Sequence, residues 1–372
     1  MSNILITGGA GFIGSHLADS LIEQGHHVRL FDNLHPQVHG EAQRPPDYLN
    51  PAATFIRGDV TNPDQVNAAL EGVEVVFHMA SRVGVAQSMY EISDYVHTNV
   101  YGTAVLLNAI VDKRHSVRKV IVPASMTSYG EGTYVLPGSK ESIRPPLRTE
   151  ADVTDGIWEL HTPEGEIMQP VPTPESAHTN NNSIYALTKH TQEEMTLMIC
   201  ARYGIPATVL RYFNVYGPRQ SLSNPYTGVT AIFLSRIKNG NPPLIYEDGL
   251  QTRDFIHVKD VVRANILAME SDTANGHVYN VGTGIPTPIK TVAELAAKLL
   301  GTTIQPHITG QFRKGDIRHC FADITAIQHD LGFTPGISLE QGMAQLVEWS
   351  RSEVAVDHVD QATRDLTSRG LL

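Results

Sequence analysis

Tyr185 and Lys189 lie four residues apart in the stretch Ser183-Ile-Tyr-Ala-Leu-Thr-Lys-His190. On a helix that spacing projects two side chains from one face, where they can meet. A phenol ordinarily titrates near ~10, too high for a base at neutral pH. An ammonium beside it favours the phenolate and lowers that value, and a second cationic group lowers it further. A phenol tuned in this way takes a proton from an alcohol while a hydride leaves the same carbon. Taken alone, Tyr-x-x-x-Lys also describes an ordinary helix with one exposed lysine and one half-buried tyrosine. Tyr185 is, however, the only one of the 13 tyrosines followed by Lys at that spacing. The rest of the chain has to say which reading holds.

The elements that would position the pair begin at the N-terminus. Residues 3–7 are a short apolar run of the kind that forms a buried parallel strand. Gly8-Gly-Ala-Gly-Phe-Ile-Gly14 follows at once, then a helical pattern through Leu17, Leu21 and Ile22 to Gly25. Strand, glycine turn and helix together raise a Gly-rich match above chance. Small residues let backbone approach a pyrophosphate, and the helix N-terminus offers free N–H groups and partial positive charge. The next strand, 27–31, runs into Asp32. A carboxylate about 20 residues beyond the glycines accepts ribose hydroxyls and repels a 2′-phosphate, which favours NAD over NADP. Glycine turns also close helix–strand packing without any ligand. The full succession of strand, glycines, helix, strand and Asp favours dinucleotide binding.

Residues 33–53 read as a loop, and 54–60 as a third strand whose end, Asp59-Val60, would lie against an adenine. A helix is expected over 63–71. A fourth strand over 73–80 carries Ala80, with Ser81, to its C-terminal end, where open α/β sheets bind ligands. Helical periodicity runs from about 88 to 115 and includes Asn99, which either bonds its own surroundings or orients a strand end. A fifth strand over 117–124 runs into Ser125, whose hydroxyl either holds a reacting oxygen or satisfies a turn. The helix of Tyr185 and Lys189 is expected to extend to about 203, with a sixth strand over 207–212. Strict alternation then loosens, and a second, smaller lobe begins near 213. The fold expected is α/β. A Rossmann-type, doubly wound parallel sheet over 1–212 precedes a C-terminal α+β substrate lobe over 213–372. Part of that lobe, about 255–282, would pack back on the first domain. Residues 131–182 are the least regular stretch, rich in proline, and a loop this long in a compact domain is usually functional.

Composition narrows the function classes. A chain of 372 residues supports a large core and usually two domains. No apolar run is long enough to span a bilayer, and no basic leader precedes the first strand. Cys200 and Cys320 are far apart, without metal-ligand spacing, which points to a reducing cytoplasm and away from structural zinc. The 17 histidines form no ligand cluster in sequence, so no metal is expected. A net charge of −11 argues against general nucleic-acid binding, which rests on clustered Lys and Arg. Arg219, Arg253 and Arg313 stand beside Gly, Pro or Asp, as loop-borne phosphate binders often do, although surface charge is the default for any one of them.

These motifs, in this order along nearly the whole chain, resemble the extended short-chain dehydrogenase/reductase family in its nucleotide-sugar epimerase and dehydratase branch. The likeness rests on residues 7–14, Asp32-Asn33, Gly58-Asp59-Val60, His78-Met-Ala80, Asn99, Ser125 four before Tyr129-Gly130, and Tyr185/Lys189. It continues through residues 210–219, Asp248-Gly249, residues 253–258, 279–282 and Gly315-Asp316. The resemblance implies Ser125, Tyr185 and Lys189 as the catalytic set. For NAD it implies Gly8, Gly11, Phe12, Ile13, Gly14, Asp32 and Asn33, and further along Asp59, Val60, Met79, Ala80, Ser81 and Asn99. Tyr185, Lys189 and Tyr212 would complete that site. A nucleotide-diphosphate sugar, dTDP- or UDP-linked, would meet Ser81, Ser125, Met126 and Thr127 at the sugar. Asn214, Arg219, Arg253, Arg313 and Asp316 would meet the rest of it. A homodimer is also implied, through the helices near 88–115 and 183–203.

The reaction is narrowed by what is missing. The family's 4,6-dehydratases carry an Asp-Glu pair directly after the catalytic hydroxyl residue, where this chain has Met126-Thr127. Its UDP-glucuronate decarboxylases use a Glu that has no counterpart beside Ser125. Epimerisation at C4 through a transient 4-keto sugar needs only the triad and a retained NAD. The insert, with Trp158 and the proline run at 170–174, resembles the family's long-insert branch and leans the substrate toward a dTDP-6-deoxysugar such as dTDP-L-rhamnose. UDP-glucose, UDP-galactose and UDP-glucuronate stay open, as does a fold that keeps NAD as a redox sensor or scaffold without catalysis. A reductase consuming NAD(P)H is a further rival, and Asp32 disfavours NADPH for it.

Overall fold

The computed structural model describes residues 1–372 except 42, 113, 114, 140, 144 and 147. Seven parallel strands form its central sheet: β1 (Asn3–Thr7), β2 (His27–Asp32), β3 (Thr54–Arg57), β4 (Val75–His78), β5 (Lys119–Ser125), β6 (Ala207–Tyr212) and β7 (Val278–Val281). Their spatial order is β7-β6-β5-β4-β1-β2-β3. The order reverses beside β1, and a doubly wound sheet leaves its ligand crevice at that point, outside the carboxyl ends of the strands.

The side-chain alternation of each strand splits the core into two layers. Ile4, Ile6, Val28, Leu30, Val75 and Phe77 pack on one face with Leu17 and Leu21 of the helix Phe12–Glu23 and with Val261 and Val262 of Val258–Glu270. Leu5, Phe31, Val76, Val120 and Val122 pack on the other with Val66, Val105, Leu106 and Cys200 from the helices Pro63–Ala69, Gly102–Val111 and Ile184–Tyr203. Burying each of these large side chains contributes roughly 1.5–3 kcal/mol, which holds both helical layers to the sheet.

Beyond β6 the chain builds a separate core from Phe233, Leu234, Val292, Ala296, Met343 and Leu346. Between these segments the chain returns to the main sheet, where Val278–Val281 pairs with β6 in register from Val278 with Val209 to Val281 with Tyr212.

Three sequence expectations change. The helix expected over 88–115 is broken into Val85–Ser88, Ile92–Tyr95, a π-turn at Val96–Tyr101 and Gly102–Val111, and its end at 113–114 lies outside the described residues. Gly84 sits at φ +121° ahead of these pieces, and Tyr95 buries its ring in them, so the run follows local packing rather than a single apolar stripe. The expected loop at 33–53 contains the short helix Pro36–His39, opened by His35, whose ring nitrogen accepts from Gln37 N.

The insert at 131–182 is more ordered than its proline content indicates, although 140, 144 and 147 lie outside the described residues. Thr133–Val135 pairs antiparallel with both Ser142–Ile143 and Gln169–Val171. Tyr134, Leu160 and Met168 form a small core behind that sheet. Proline is compatible with pairing in an edge strand, as at Pro170, which stands opposite Tyr134 in the Gln169–Val171 strand.

Candidate active site

At the carboxyl ends of the central strands lies a cavity of about 1600 Å³, reaching from the glycine turn to the C-terminal lobe. Gly11, Phe12, Ile13 and Gly14 line one end of it. Gly11 caps the first helix without a side chain, leaving its early N–H groups to the cavity. Two of the turn's glycines illustrate why no side chain fits there. Gly8 has φ +67° and a Cβ there would lie 2.8 Å from Ala80 Cα, while a Cβ on Gly14 would lie 2.6 Å from Gly8 O. Asp32 accepts from Ala10 N at 3.1 Å and Leu34 N at 2.9 Å, which aims its carboxylate along the same crevice. His39 lies 3.7 Å from it. Asn33 also lines the crevice, and its amide donates to Asp59 at 2.9 Å. Asp59 itself is not in the lining; Val60, Met79, Ala80 and Ser81 are. Closely approaching backbone, free helix N–H groups and a carboxylate at the end of β2 fit a dinucleotide with unmodified ribose.

Asn99 does not line the cavity but is fully buried behind it. Its carbonyl accepts from Arg82 N at 2.7 Å and Ser81 Oγ at 3.1 Å, and its amide donates to Arg82 O and to Thr188 Oγ1. Of the two readings open in sequence, orientation of the strand end is the one found. The π-turn makes this possible by rotating residue 99 off the ordinary helical face.

Ser125, Tyr185 and Lys189 all line the middle of the cavity, beside Met126 and Thr127. Ser125 caps the following turn, accepting from Thr127 N at 3.2 Å and Thr127 Oγ1 at 2.9 Å. Ser183 caps the Tyr185 helix by accepting from Ala186 N, and Ser88 Oγ accepts from Tyr185 N at 3.0 Å. Tyr185 packs edge-on against Tyr95, ring centres 6.4 Å apart.

The electrostatics correct one expectation. Burial raises the Tyr185 phenol above its ordinary value, with a hydrogen bond to Ser125 opposing the rise. Burial pushes Lys189 down to about 7, while Glu193 pulls it back up. The protein's own groups therefore do not make the phenolate, because desolvation acts on both partners, raising the phenol and weakening the lysine's hold on its proton. A positive charge beside the phenol lowers its pKa, and the nicotinamide ring of bound NAD⁺ carries one.

The far end of the cavity belongs to the C-terminal lobe. Asn214 lines it, and its side-chain oxygen is buried without a protein partner, an orphan that points to a ligand. Arg253 directs its guanidinium to Ile317 O at 2.7 Å and Arg318 O at 3.1 Å. Arg313 and Asp316 form a bidentate pair at 2.9 and 3.0 Å. Arg219 is placed apart from these. It pairs with Asp19 at 2.8 Å and lies over Tyr48, whose hydroxyl donates to Ala10 O beside the glycine turn. A φ of +68° directly after Pro218 turns the chain that way. Tyr212 lines the cavity with its hydroxyl bonded to Asn265.

Sequence reasoning gave no role to two supporting groups, although His78 stands in one of the motifs of the resemblance. His78, buried, bridges Thr7 Oγ1 at 2.8 Å and Thr103 Oγ1 at 3.0 Å, and Gln192 of the Tyr185 helix donates to Thr103 as well. Arg82 binds His35 and Glu91 and lies over Tyr95. A histidine closing an apolar strand was the one available signal for the first; nothing local marks the second.

The sequence matches the NAD dependent epimerase/dehydratase family over residues 4–152 and 163–282, and the chain belongs to that family. Among its relatives is a dTDP-L-rhamnose 4-epimerase of Burkholderia thailandensis, 34% identical over 94% of this chain and 95% of that protein. In three dimensions it is similar to a UDP-glucose 4-epimerase of Thermotoga maritima solved with UDP-glucose, with TM-score 0.77, 33% identity and coverage of 94% and 98% of the two chains. It is also similar to the Thermus thermophilus UDP-glucose 4-epimerase in complex with NAD, with TM-score 0.74, 27% identity and coverage of 95% and 100%. The chain is an NAD-dependent enzyme of the nucleotide-sugar 4-epimerase family.

Proposed function

We propose that this enzyme inverts C4 of a dTDP-linked 6-deoxysugar through a transient 4-keto sugar. One observation carries the choice of 4-epimerisation: the positions flanking Ser125, where elimination of water would need an acid and a base, hold Met126 and Thr127 in the cavity wall. Thr127 is already spent on Ser125, and Met126 has no proton to give. Ser125, Tyr185 and Lys189 suffice for moving one proton at one oxygen. In this reading the Tyr185 phenolate, stabilised by Lys189, takes the proton of the C4 hydroxyl at Oη, while Ser125 Oγ holds the same oxygen. Bound NAD supplies the two-electron oxidation and re-reduction of C4. Between them the sugar turns over, and Tyr185 returns its proton to the opposite epimer. Asn214, Arg253, Arg313 and Asp316 would grip the nucleotide diphosphate while the sugar stays loosely held, so binding energy is spent away from the rotating ring.

The dTDP-6-deoxysugar assignment is supported by the 34% identical dTDP-L-rhamnose 4-epimerase. UDP-glucose is the second reading, favoured by the likeness to the Thermotoga maritima enzyme. A homodimer through the helices at 92–111 and 184–203 is supported by the exposed Ile92, Tyr101, Leu187, Met198 and Tyr203 on them. A reducing, cytoplasmic setting is supported by the two buried free thiols.

The deciding experiment incubates the purified enzyme with a panel of dTDP- and UDP-sugars in D₂O without added cofactor. We expect the C4 epimer of a dTDP-6-deoxysugar, without ring deuterium. Deuterium at C3 or C5 points to carbanion chemistry and rejects the proposal. Tyr185→Phe, which keeps the ring, is expected to lose about 10²–10⁴-fold in kcat while retaining NAD. Full activity in that variant removes Tyr185 from the chemistry.

A further inference from the structure

The insert meets the substrate lobe through a set of buried charges. Arg148, 3% exposed at its side chain, places Nη1 2.9 Å from Glu247 Oε1 and Nε 3.5 Å from Glu131 Oε1. Its Nη2 donates to Asp316 O at 3.0 Å, and its guanidinium lies 4.9 Å over the Phe312 ring. Glu131, also in the insert, accepts from Arg318 N through both carboxylate oxygens. Glu159, the third insert residue, receives Arg318 Nε at 2.9 Å and lies 3.1 Å from His319. Arg318 also reaches Glu247 and Asp248. Apart from the pairing of Arg148 with Glu247 and Glu131, these contacts converge on one segment, 312–319, which presents Arg313 and Asp316 to the cavity.

Arg148, Glu131 and Glu159 themselves do not line the cavity. Buried ion pairs are a poor source of stability, since desolvation offsets most of their attraction. A better account of this cluster is geometric. An arginine fork engages a carboxylate, a carbonyl and an aromatic face at set angles, which a lysine cannot do. The bond to the backbone carbonyl of Asp316 acts directly on a residue of the cavity wall.

We propose that Arg148 is a positioning residue for the nucleotide-diphosphate subsite. The insert uses it to hold segment 312–319 so that Arg313 and Asp316 face the ligand. This rests on the nucleotide-sugar reading above. It assigns the insert a role in substrate affinity rather than in the proton transfer.

The test compares wild type with Arg148→Met and Phe312→Leu, as NAD-loaded full-length proteins. NAD content and thermal melting report the fold, titration calorimetry with dTDP and with UDP reports the subsite, and steady-state kinetics separate KM from kcat. For Arg148→Met we expect about tenfold weaker dTDP or UDP binding and a matching rise in KM. We expect kcat within twofold and NAD content unchanged. Unaltered nucleotide affinity and KM overturn the proposal, as does a fall in kcat alone. If Arg148→Met fails to hold NAD, Phe312→Leu decides, since it removes the stacking ring and leaves every charge in place. About threefold weaker nucleotide binding with NAD retained supports the proposal, and unchanged binding overturns it. A wild type that binds neither nucleotide and turns over no sugar nucleotide instead sinks the functional reading itself.

Discussion

Lys189 lies one helical turn from Tyr185 in a wall so dry that its ammonium is held near neutrality. Its neighbour His78 is pushed down to about 3 by burial and by Lys189, so the imidazole is neutral. The hydrogen bonds then fix its tautomer. Thr103 gives its hydroxyl proton to Asn99 O, so it can only accept from His78 Nε2, and Nδ1 accepts from Thr7. The neutral ring adds no second charge beside the lysine. This arrangement makes a stability prediction for the NAD-free protein. The folded lysine loses its proton near 7 and the unfolded one near ~10.4, so between those values the unfolded chain binds more protons. Stability contributed at this position therefore rises with pH across that window, by up to about 1.4 kcal/mol per unit. Lys189→Met removes the cost of the buried charge. Its melting temperature should exceed that of wild type at pH 7, and the gap should shrink by pH 9. A gap independent of pH refutes the assignment. Activity should fall by two or more orders of magnitude in the same variant, since the phenolate loses its cation.

At the scale of elements, the carboxyl end of β4 is placed by a side chain from a distorted helix. Asn99 satisfies the backbone of Arg82 on both sides and ties it to Thr188 in the Tyr185 helix. Strand end and Tyr185 helix are thereby fixed against each other through one buried amide. Asn99→Ala leaves the Arg82 N–H and C=O without that partner, at about 1–3 kcal/mol for a buried polar group. NAD dissociation should accelerate about tenfold or more, measured by loss of bound cofactor on dilution. Asn99→Leu should behave the same or worse. Unchanged NAD retention in both variants shows that Asn99 serves the fold alone.

For the whole molecule, the exposed apolar residues of the two long helical runs are the basis of the dimer proposal. Met198 is 64% exposed and Leu187 47%, eleven residues apart and so on one face of the Ile184–Tyr203 helix. A stable interface of standard size buries about 1,600 Å² in total, and a carboxylate at its centre is strongly unfavourable. Met198→Glu should yield a monomer in light scattering after gel filtration, at least tenfold weaker in association, with NAD content intact. A wild-type monomer at micromolar concentration removes the dimer.

The strands and helices around the cofactor were legible because their signals are local. Ile4 and Leu5, Phe77 and Val76 divide between two core layers by simple alternation, and the glycines of residues 8–14 are required by close backbone approach. Tyr185 and Lys189 could be paired by spacing alone, since both ride on one helix. The broken run at 85–111 was not legible, because its breaks follow from Tyr95 packing on Tyr185 and Asn99 bonding Thr188, both far away in sequence. Nor was the direction of the Tyr185 shift, which depends on how little water reaches a site assembled from several elements. Arg219 and Arg148 make the same point from opposite sides: two surface-type residues in sequence, one led to the glycine turn by a backbone angle and the other buried by the insert. Chain-local chemistry thus determined which groups could react and which cofactor they would serve. Long-range packing decided their desolvation, their charges and their partners, because burial and charge pairing are properties of a surrounding that no short stretch of chain contains.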